Sequence, residues 1–212
     1  MICKTIEIQK ESLELHPLKA IFWKKREVLI LSDVHFGKVN HFRKEGIAIP
    51  NIAKEKDYEN LSFLLEHYTP KKLYIIGDLF HSDKNKEWEV LKMLRTTFAS
   101  IDWVLVAGNH DAATLSSYQD LNIKIVEQLE EGPFYFSHEP EEKLGFYSIA
   151  GHIHPGVILK GKAKQHMRMQ CFYFGKSSAI LPAFGNLTGK FIIQPKKEDE
   201  IFVTTGKEVI KL

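Results

Sequence analysis

Five short apolar runs in this sequence each end in residue types able to bind a metal. Val28–Leu31 leads into Ser32-Asp33-Val34-His35, Leu73–Ile76 into Gly77-Asp78, and Trp103–Ala107 into Gly108-Asn109-His110-Asp111. Phe134–Phe136 leads into Ser137-His138, and Phe146–Ala150 into Gly151-His152-Ile153-His154. Taken singly, each has an ordinary explanation. Asp-x-His or Gly-Asp after a strand is a common turn in which Asp bonds its local backbone. Asn-His-Asp can cap a short helix starting near Ala112, and a lone His138 more often serves structure than coordination. Gly-His-x-His says more, because alternate side chains of an extended segment point the same way and aim both imidazoles to one side. Turn chemistry does not require five runs to end alike, whereas one shared metal site requires all of them.

The donor types narrow the chemistry. Carboxylate, imidazole and amide oxygen without thiolate suit Mn, Fe or Zn better than an all-oxygen calcium site. Asp33, His35, Asp78, Asn109, His138, His152 and His154 are more donors than one ion needs, so two divalent ions sharing a carboxylate is the economical arrangement. Two ions about 4 Å apart can activate water and steady both the attacking and leaving oxygens of an in-line displacement. That chemistry is phosphoryl hydrolysis. Lys38 and Arg43 follow the first motif closely enough to reach a substrate phosphate, Arg43 with a fork that holds two oxygens at once.

Such donors converge only if their strands end on one side of a sheet, as at the carboxyl ends of open α/β sheets. The pattern supports this. Val28–Leu31, Leu73–Ile76 and Trp103–Val106 read as buried strands bounded by turns. Between them the apolar spacing predicts a helix from Pro50 and Asn51 to about Tyr68 and another from about Asn85 to Phe98. Strand–helix–strand–helix–strand implies parallel strands with right-handed crossovers. Thr5–Leu15 alternates like a half-buried strand. Beyond Asp111 short strand-like runs dominate, at Ile123–Val126, Phe134–Phe136, Phe146–Ile149, Met167–Phe174, Ala179–Leu181, Phe191–Ile193 and Ile201–Thr205, which suit a second sheet packed on the first. Glycines 77, 108 and 151 let backbones crowd beside an occupied centre. With 212 residues and no repeat, low-complexity tract or linker, one domain over 1–212 is expected.

Composition sets bounds. A net charge of +2 neither demands nor excludes nucleic acid. Two cysteines, Cys3 and Cys171, argue against a disulfide framework, Met1–Lys10 lacks an apolar signal core, and no apolar run is long enough to span a bilayer. A cytoplasmic protein without membrane association is expected. Lys160, Lys162, Lys164, His166 and Arg168 read first as solubility or edge protection, and second as a track for a nucleic-acid backbone. The aromatics Phe172, Tyr173, Phe174 and Phe184 read as core.

The ordered series Asp33-x-His35, Gly77-Asp78, Gly108-Asn109-His110-Asp111, His138 and Gly151-His152-x-His154 resembles the calcineurin-like metallophosphoesterase superfamily. That resemblance implies a four-layer α/β/β/α sandwich of two mixed sheets flanked by helices. It implies Asp33, His35 and His154 on one ion, Asn109, His138 and His152 on the other, and Asp78 bridging. His110 matches the histidine that stabilises the transition state or protonates the leaving oxygen, a role an imidazole near neutral pKa suits. Mn²⁺ is the expected ion, with Fe or Zn as alternatives. Three finer stretches, His35-Phe36-Gly37-Lys38 with Phe42-Arg43, Gly77-Asp78-Leu79-Phe80-His81-Ser82 and Leu181-Pro182-Ala183-Phe184-Gly185, resemble the bacterial ligase-associated DNA damage response endonuclease subfamily. This implies a phosphodiester substrate in DNA, with a DNA ligase and a helicase-like protein as partners.

The sequence departs from the serine/threonine phosphatases, which carry an acid and then Arg where His81 and Ser82 stand here. Asp111 is then a candidate to orient His110, or satisfies local backbone, and His81 either contacts phosphate or hydrogen-bonds a metal ligand. The competing readings are a small-molecule enzyme acting on cyclic nucleotides or phosphomonoesters, and a non-catalytic scaffold of this fold. A scaffold would erode the ligand set or replace the catalytic His, and this sequence keeps both.

Overall fold

A computed structural model of the chain describes residues 1–38, 52–80, 86–111, 115–161 and 165–212. The first sheet has the strand order β1 (Lys4–Ile8), β2 (Glu11–His16), β3 (Ala20–Trp23), β4 (Val28–Ser32), β5 (Lys72–Ile76), β6 (Asp102–Val106) and β7 (Lys124–Val126). Its first four strands form an antiparallel meander, and β4 to β7 run parallel. Thr5–Leu15, expected as one strand, is a hairpin. It folds at Gln9 and Lys10, with φ of 53° and 63°, the doubly left-handed conformation of a two-residue hairpin turn. Two crossover helices, α1 (Ile52–Tyr68) and α2 (Lys86–Thr97), connect β4 to β5 and β5 to β6, and a short α3 (Leu115–Asp120) precedes β7.

The second sheet runs β14 (Phe191–Ile192), β11 (Pro155–Lys160), β12 (His166–Phe174), β13 (Ser178–Ile180), β10 (Tyr147–Ala150), β9 (Phe134–Ser137) and β8 (Leu129–Glu131). Two further strands, β15 (Glu200–Thr204) and β16 (Val209–Lys211), branch from β12. Of these, β3, β8, β11 and β16 have no counterpart among the sequence-based expectations.

Strand alternation divides the interior into layers. Leu29, Leu31, Leu73, Ile75, Trp103 and Leu105 face the helices, where they meet Leu61, Leu64 and Leu65 of α1, Trp88 and Leu91 of α2 and Tyr118 of α3. Their neighbours Val28, Ile30, Tyr74, Ile76, Val104 and Val106 face the second sheet and pack on Phe134, Phe136, Ile149 and Phe172. Burial on both faces explains why β4 to β6 read as unbroken apolar runs. The three described α-helices all contribute to the first cluster. They supply the α/β/β part of the sandwich, and among the described residues no helix contributes to either cluster on the second sheet. The architecture is α/β, two mixed sheets packed face to face.

Register brings the strand ends together. Ser32, Ile76 and Val106 are neighbours at the carboxyl ends of β4, β5 and β6. In the second sheet, Ser137, Ala150 and Ile180 are neighbours at the carboxyl ends of the parallel strands β9, β10 and β13. A bridge between Ser32 and Ala183 then joins the two sheets along this rim, with the Phe184 N–H donating to Ser32 O at 2.8 Å.

Candidate metal centre

Past the last ladder pair, the backbone keeps bonding. Asp33 N–H donates to Gly77 O, His35 N–H to Asp78 O, Gly77 N–H to Val106 O and Gly151 N–H to His138 O. The loops are therefore stitched side by side, and the stitching forces unusual torsions. Asp33, His35, Asp78, His152 and His154 have φ between 48° and 64°. For residues with a Cβ this left-handed region costs about 1 kcal/mol or more each. Five expected ligands thus hold a conformation their side chains disfavour.

Two glycines make the crowding possible. Gly77 has φ of 76°, and a Cβ there would lie 1.8 Å from His138 Nδ1. At Gly151 a Cβ would lie 2.5 Å from Asp33 Oδ2. Both positions abut donor groups, so the glycines are spaces for ligands.

The donors form two overlapping groups. In one, ligand atoms of Asp33, His35 and His154 lie within 4.8 Å of one another, and in the other so do those of Asp33, Asp78 and His138. His35 Nε2 is 3.4 Å from His154 Nε2, and His154 Nε2 is 3.3 Å from Asp33 Oδ1. On the other side, His152 Nδ1 is 3.1 Å from His138 Nε2. Asp78 Oδ2 stands between the groups, 3.8 Å from His35 Nε2, 3.7 Å from His138 Nε2 and 4.0 Å from His110 Nε2.

These residues fit a divalent metal centre. Ligands bound at about 2.1 Å with tetrahedral or octahedral angles lie about 3.0 to 3.4 Å apart, which matches the closest donor separations. Asp33 and Asp78 are buried, 0% and 3% exposed, and two such carboxylates require compensating positive charge. His138 Nδ1, 3.9 Å from Asp33 Oδ1, is buried without a hydrogen-bond partner among the described residues.

The remaining candidates divide. Asn109 is exposed, and its Nδ2 donates to Glu139 Oε1 at 3.2 Å, which leaves its carbonyl oxygen as the acceptor. A cavity of about 180 Å³ beside it is lined by Asn109, His138 and Glu139. His110 is half-exposed, its N–H donating to Asp78 Oδ1 at 3.0 Å while its ring meets that of His35 edge-on at 5.7 Å.

Asp111, expected as a catalytic candidate or a backbone partner, is fully buried. Its Oδ1 accepts from Leu79 N–H and Tyr118 Oη–H, and its Oδ2 accepts from Gly108 N–H. It clamps the Asp78 loop to the Asn109 loop, and burial pushes its carboxyl pKa up against those hydrogen bonds.

Lys38 is partly buried. Burial pulls its pKa down, while the charges of Asp78 and Asp33 oppose the shift. Arg43 and His81 lie outside the described residues.

Two features of the site were missed by sequence reasoning. Glu139 follows His138 directly, yet its contact with Asn109 spans a separation no local pattern reveals. Asn186 follows the Leu181–Gly185 stretch and bonds the buried Asp57 of α1. Gly185 N–H donates to Asp33 O, so this contact ties α1 to the floor of the centre. The Leu181–Gly185 motif itself was a visible signal for that floor.

Among the described residues no helix is long and apolar enough to cross a membrane. No curated protein matches the chain significantly. Among solved structures, the crystal structure of the nuclease MPE of Pseudomonas putida has a TM-score of 0.86 to this chain at 28% identity, covering 99% of this chain and 100% of that one. The family model for calcineurin-like phosphoesterases matches residues 27–201. With its Asp and His donors gathered on one rim, this metal-dependent phosphoesterase belongs to the calcineurin-like phosphoesterase family.

Proposed function

We propose that the chain hydrolyses phosphodiester bonds in DNA, as a repair nuclease of the ligase-associated DNA damage response type. One observation carries the reading. Asp78 Oδ2 lies within 4.0 Å of His35, His138 and His110, so one carboxylate faces both donor groups and the exposed histidine. Similarity along the whole chain to a nuclease supports diester chemistry.

In this reading Asp33, His35 and His154 hold one divalent ion, Asn109, His138 and His152 hold the other, and Asp78 serves both. When bound, the ions supply the Lewis acidity for an in-line displacement at phosphorus. Asp78 Oδ1 fixes the His110 backbone while the His110 ring faces the open side, where it meets the leaving oxygen and gives it a proton. Glu139 holds the Asn109 amide so that its oxygen is presented. The Lys38 ammonium, in the field of Asp33 and Asp78, offers charge to a non-bridging phosphate oxygen. By sequence, Arg43 is assigned to phosphate contact, and His81 either to phosphate contact or to a hydrogen bond with a metal ligand.

Mn²⁺ is the proposed ion, with Fe or Zn as alternatives. DNA ligase and a helicase-like protein are the proposed partners, and the cytoplasm, which suits two free thiols, is the proposed compartment. The test is a panel in Mn²⁺ of bis-p-nitrophenyl phosphate, p-nitrophenyl phosphate, cyclic nucleotides and nicked or gapped DNA. Turnover of the diester and of DNA is expected. Turnover confined to monoesters or cyclic nucleotides refutes the nuclease assignment and favours the small-molecule reading.

A further inference from the structure

Beyond Gly156, β11 and the first half of β12 leave the sheet as a two-stranded arm. Among the described residues, Val157–Lys160 pairs only with His166–Met169, and β15 joins β12 only from Cys171 onward. Register sorts the arm into two faces. Gly156, Ile158 and Lys160 lie opposite Gln170, Arg168 and His166, so these positions share one face. The other face carries Val157, Leu159 and Met169, which pack with Cys171, Ile201 and Val203, and further out the exposed Met167. That side is therefore buried at its root, and the side bearing Lys160, His166 and Arg168 is exposed.

The exposed face begins at the metal centre. β11 starts at Pro155, next to His154, and Phe191 N–H donates to His154 O. Lys190, just before it, stands over the root of the arm, where a Cβ built at Gly156 would lie 3.2 Å from Lys190 Cβ. Gln170 Nε2 donates to Ala183 O and Thr188 Oγ1, fastening the same face to the loop that holds Asp33. From Lys190 over Gly156, through Arg168 opposite Ile158, to Lys160, cationic rungs recur every two strand residues, about 6.6 Å.

Some surface cations elsewhere are matched. Lys25, Arg26, Lys71, Lys72, Lys143 and Lys211 each pair with a glutamate. Lys160, Arg168 and Lys190 are exposed and form no ion pair among the described residues, as is also true of exposed lysines such as Lys4, Lys24, Lys124 and Lys176, but these three line up along one face of the arm. Protection of free strand edges would account for Lys160 and Arg168. It does not account for Lys190, which lies beside the His154 loop. Uncompensated positive charge in a row leading from a phosphoesterase centre complements a polyanionic strand.

We infer that this face of the arm, from Lys190 to Lys160, binds the phosphate backbone of a DNA strand whose scissile bond lies at the metal centre. The inference rests on the nuclease reading and specifies where that substrate lies. It is tested in the full Mn²⁺-loaded chain by combining Lys160→Gln, Arg168→Gln and Lys190→Gln. The readouts are kcat/KM on a fluorescein-labelled single-stranded oligonucleotide and on bis-p-nitrophenyl phosphate. The variant is expected to lose about tenfold or more on DNA, with a log–log salt dependence shallower by about 2, at about 0.7 per phosphate contact. Turnover of the small diester is expected to be unchanged. If the wild type and the variant cut DNA equally, with equal salt dependence, the surface assignment is overturned and the nuclease reading stands. If the wild type turns over the small diester but leaves DNA intact, the nuclease reading falls and takes this inference with it.

Discussion

The two ends of the parallel strands obey opposite electrostatic rules. At the amino ends of β4, β5 and β9, charges of both signs alternate and pair: Lys71 with Glu27, and both Lys72 and Arg26 with Glu131, which also accepts from Tyr74 Oη–H. At the carboxyl ends, imidazoles and buried carboxylates face one another at 3.1 to 4.0 Å, on backbone held left-handed. The first rim is locally satisfied, whereas the second stores strain and concentrates donors. A cavity of about 460 Å³ also opens at the paired rim, lined by Lys72, Tyr74, Arg95, Asp102, Lys124 and Glu131, and it has no cluster of imidazoles and carboxylates to match the other rim. Chemistry follows the unsatisfied rim.

Substitutions at the two rims should therefore separate activity from stability. The largest effect is expected for His110→Ala. Its ring is half-exposed and makes no contribution to the core, so the variant should keep its metal and its melting temperature but lose about 10² to 10⁴ in kcat. Equal rates would remove the proton-donor role. Gly77→Ala should damage both properties. The left-handed torsion and the collision with His138 predict a loss of about 2 kcal/mol or more in urea unfolding, together with weakened metal binding by titration calorimetry.

Glu131→Ala supplies the opposite case at the paired rim. Removing partly exposed ion pairs should cost about 1 kcal/mol or less and leave turnover intact. A loss of activity there would erase the distinction between the rims.

Acid stability requires a separate baseline, because a buried histidine outside both rims also titrates. His16 accepts from Leu18 N–H through Nδ1, and burial, with the charge of His67 adding, holds its pKa down to about 4. The unfolded chain binds that proton below about 6.5, and the folded chain resists it until about 4. Stability should then fall as pH drops from about 6.5 toward 4, by at most about 3 kcal/mol. His16→Gln should flatten that part of the urea-midpoint profile, and an unchanged slope would assign the acid loss to other groups.

The site was largely legible in sequence because its information is local. Each donor lies within a few residues of an apolar run, and a buried strand announces itself by that run and by the turn that ends it. The crossover helices were legible for the same reason, through Tyr58, Leu61, Leu64 and Leu65 in one and Trp88, Leu91 and Leu94 in the other. Features set by tertiary contact were not. The hairpin at Gln9 and Lys10 has neither Gly nor Asn to mark a left-handed turn, so its two strands read as one. β11 opens on Pro155-Gly156, a pair that ordinarily signals a turn, and its strand character comes from pairing with β12. Asp111 reads from sequence as a partner for His110 or for local backbone, and its oxygens accept from the backbone of two loops and from Tyr118. That outcome depends on how the loops stack, which spacing alone does not encode.

The most direct test of the metal centre is anomalous diffraction from crystals of the chain grown with Mn²⁺. Two peaks are expected on the carboxyl-end rim, one among Asp33, His35 and His154, the other among Asn109, His138 and His152, with the Asp78 carboxylate touching both. A single peak, or peaks away from Asp78, would contradict the two-ion account.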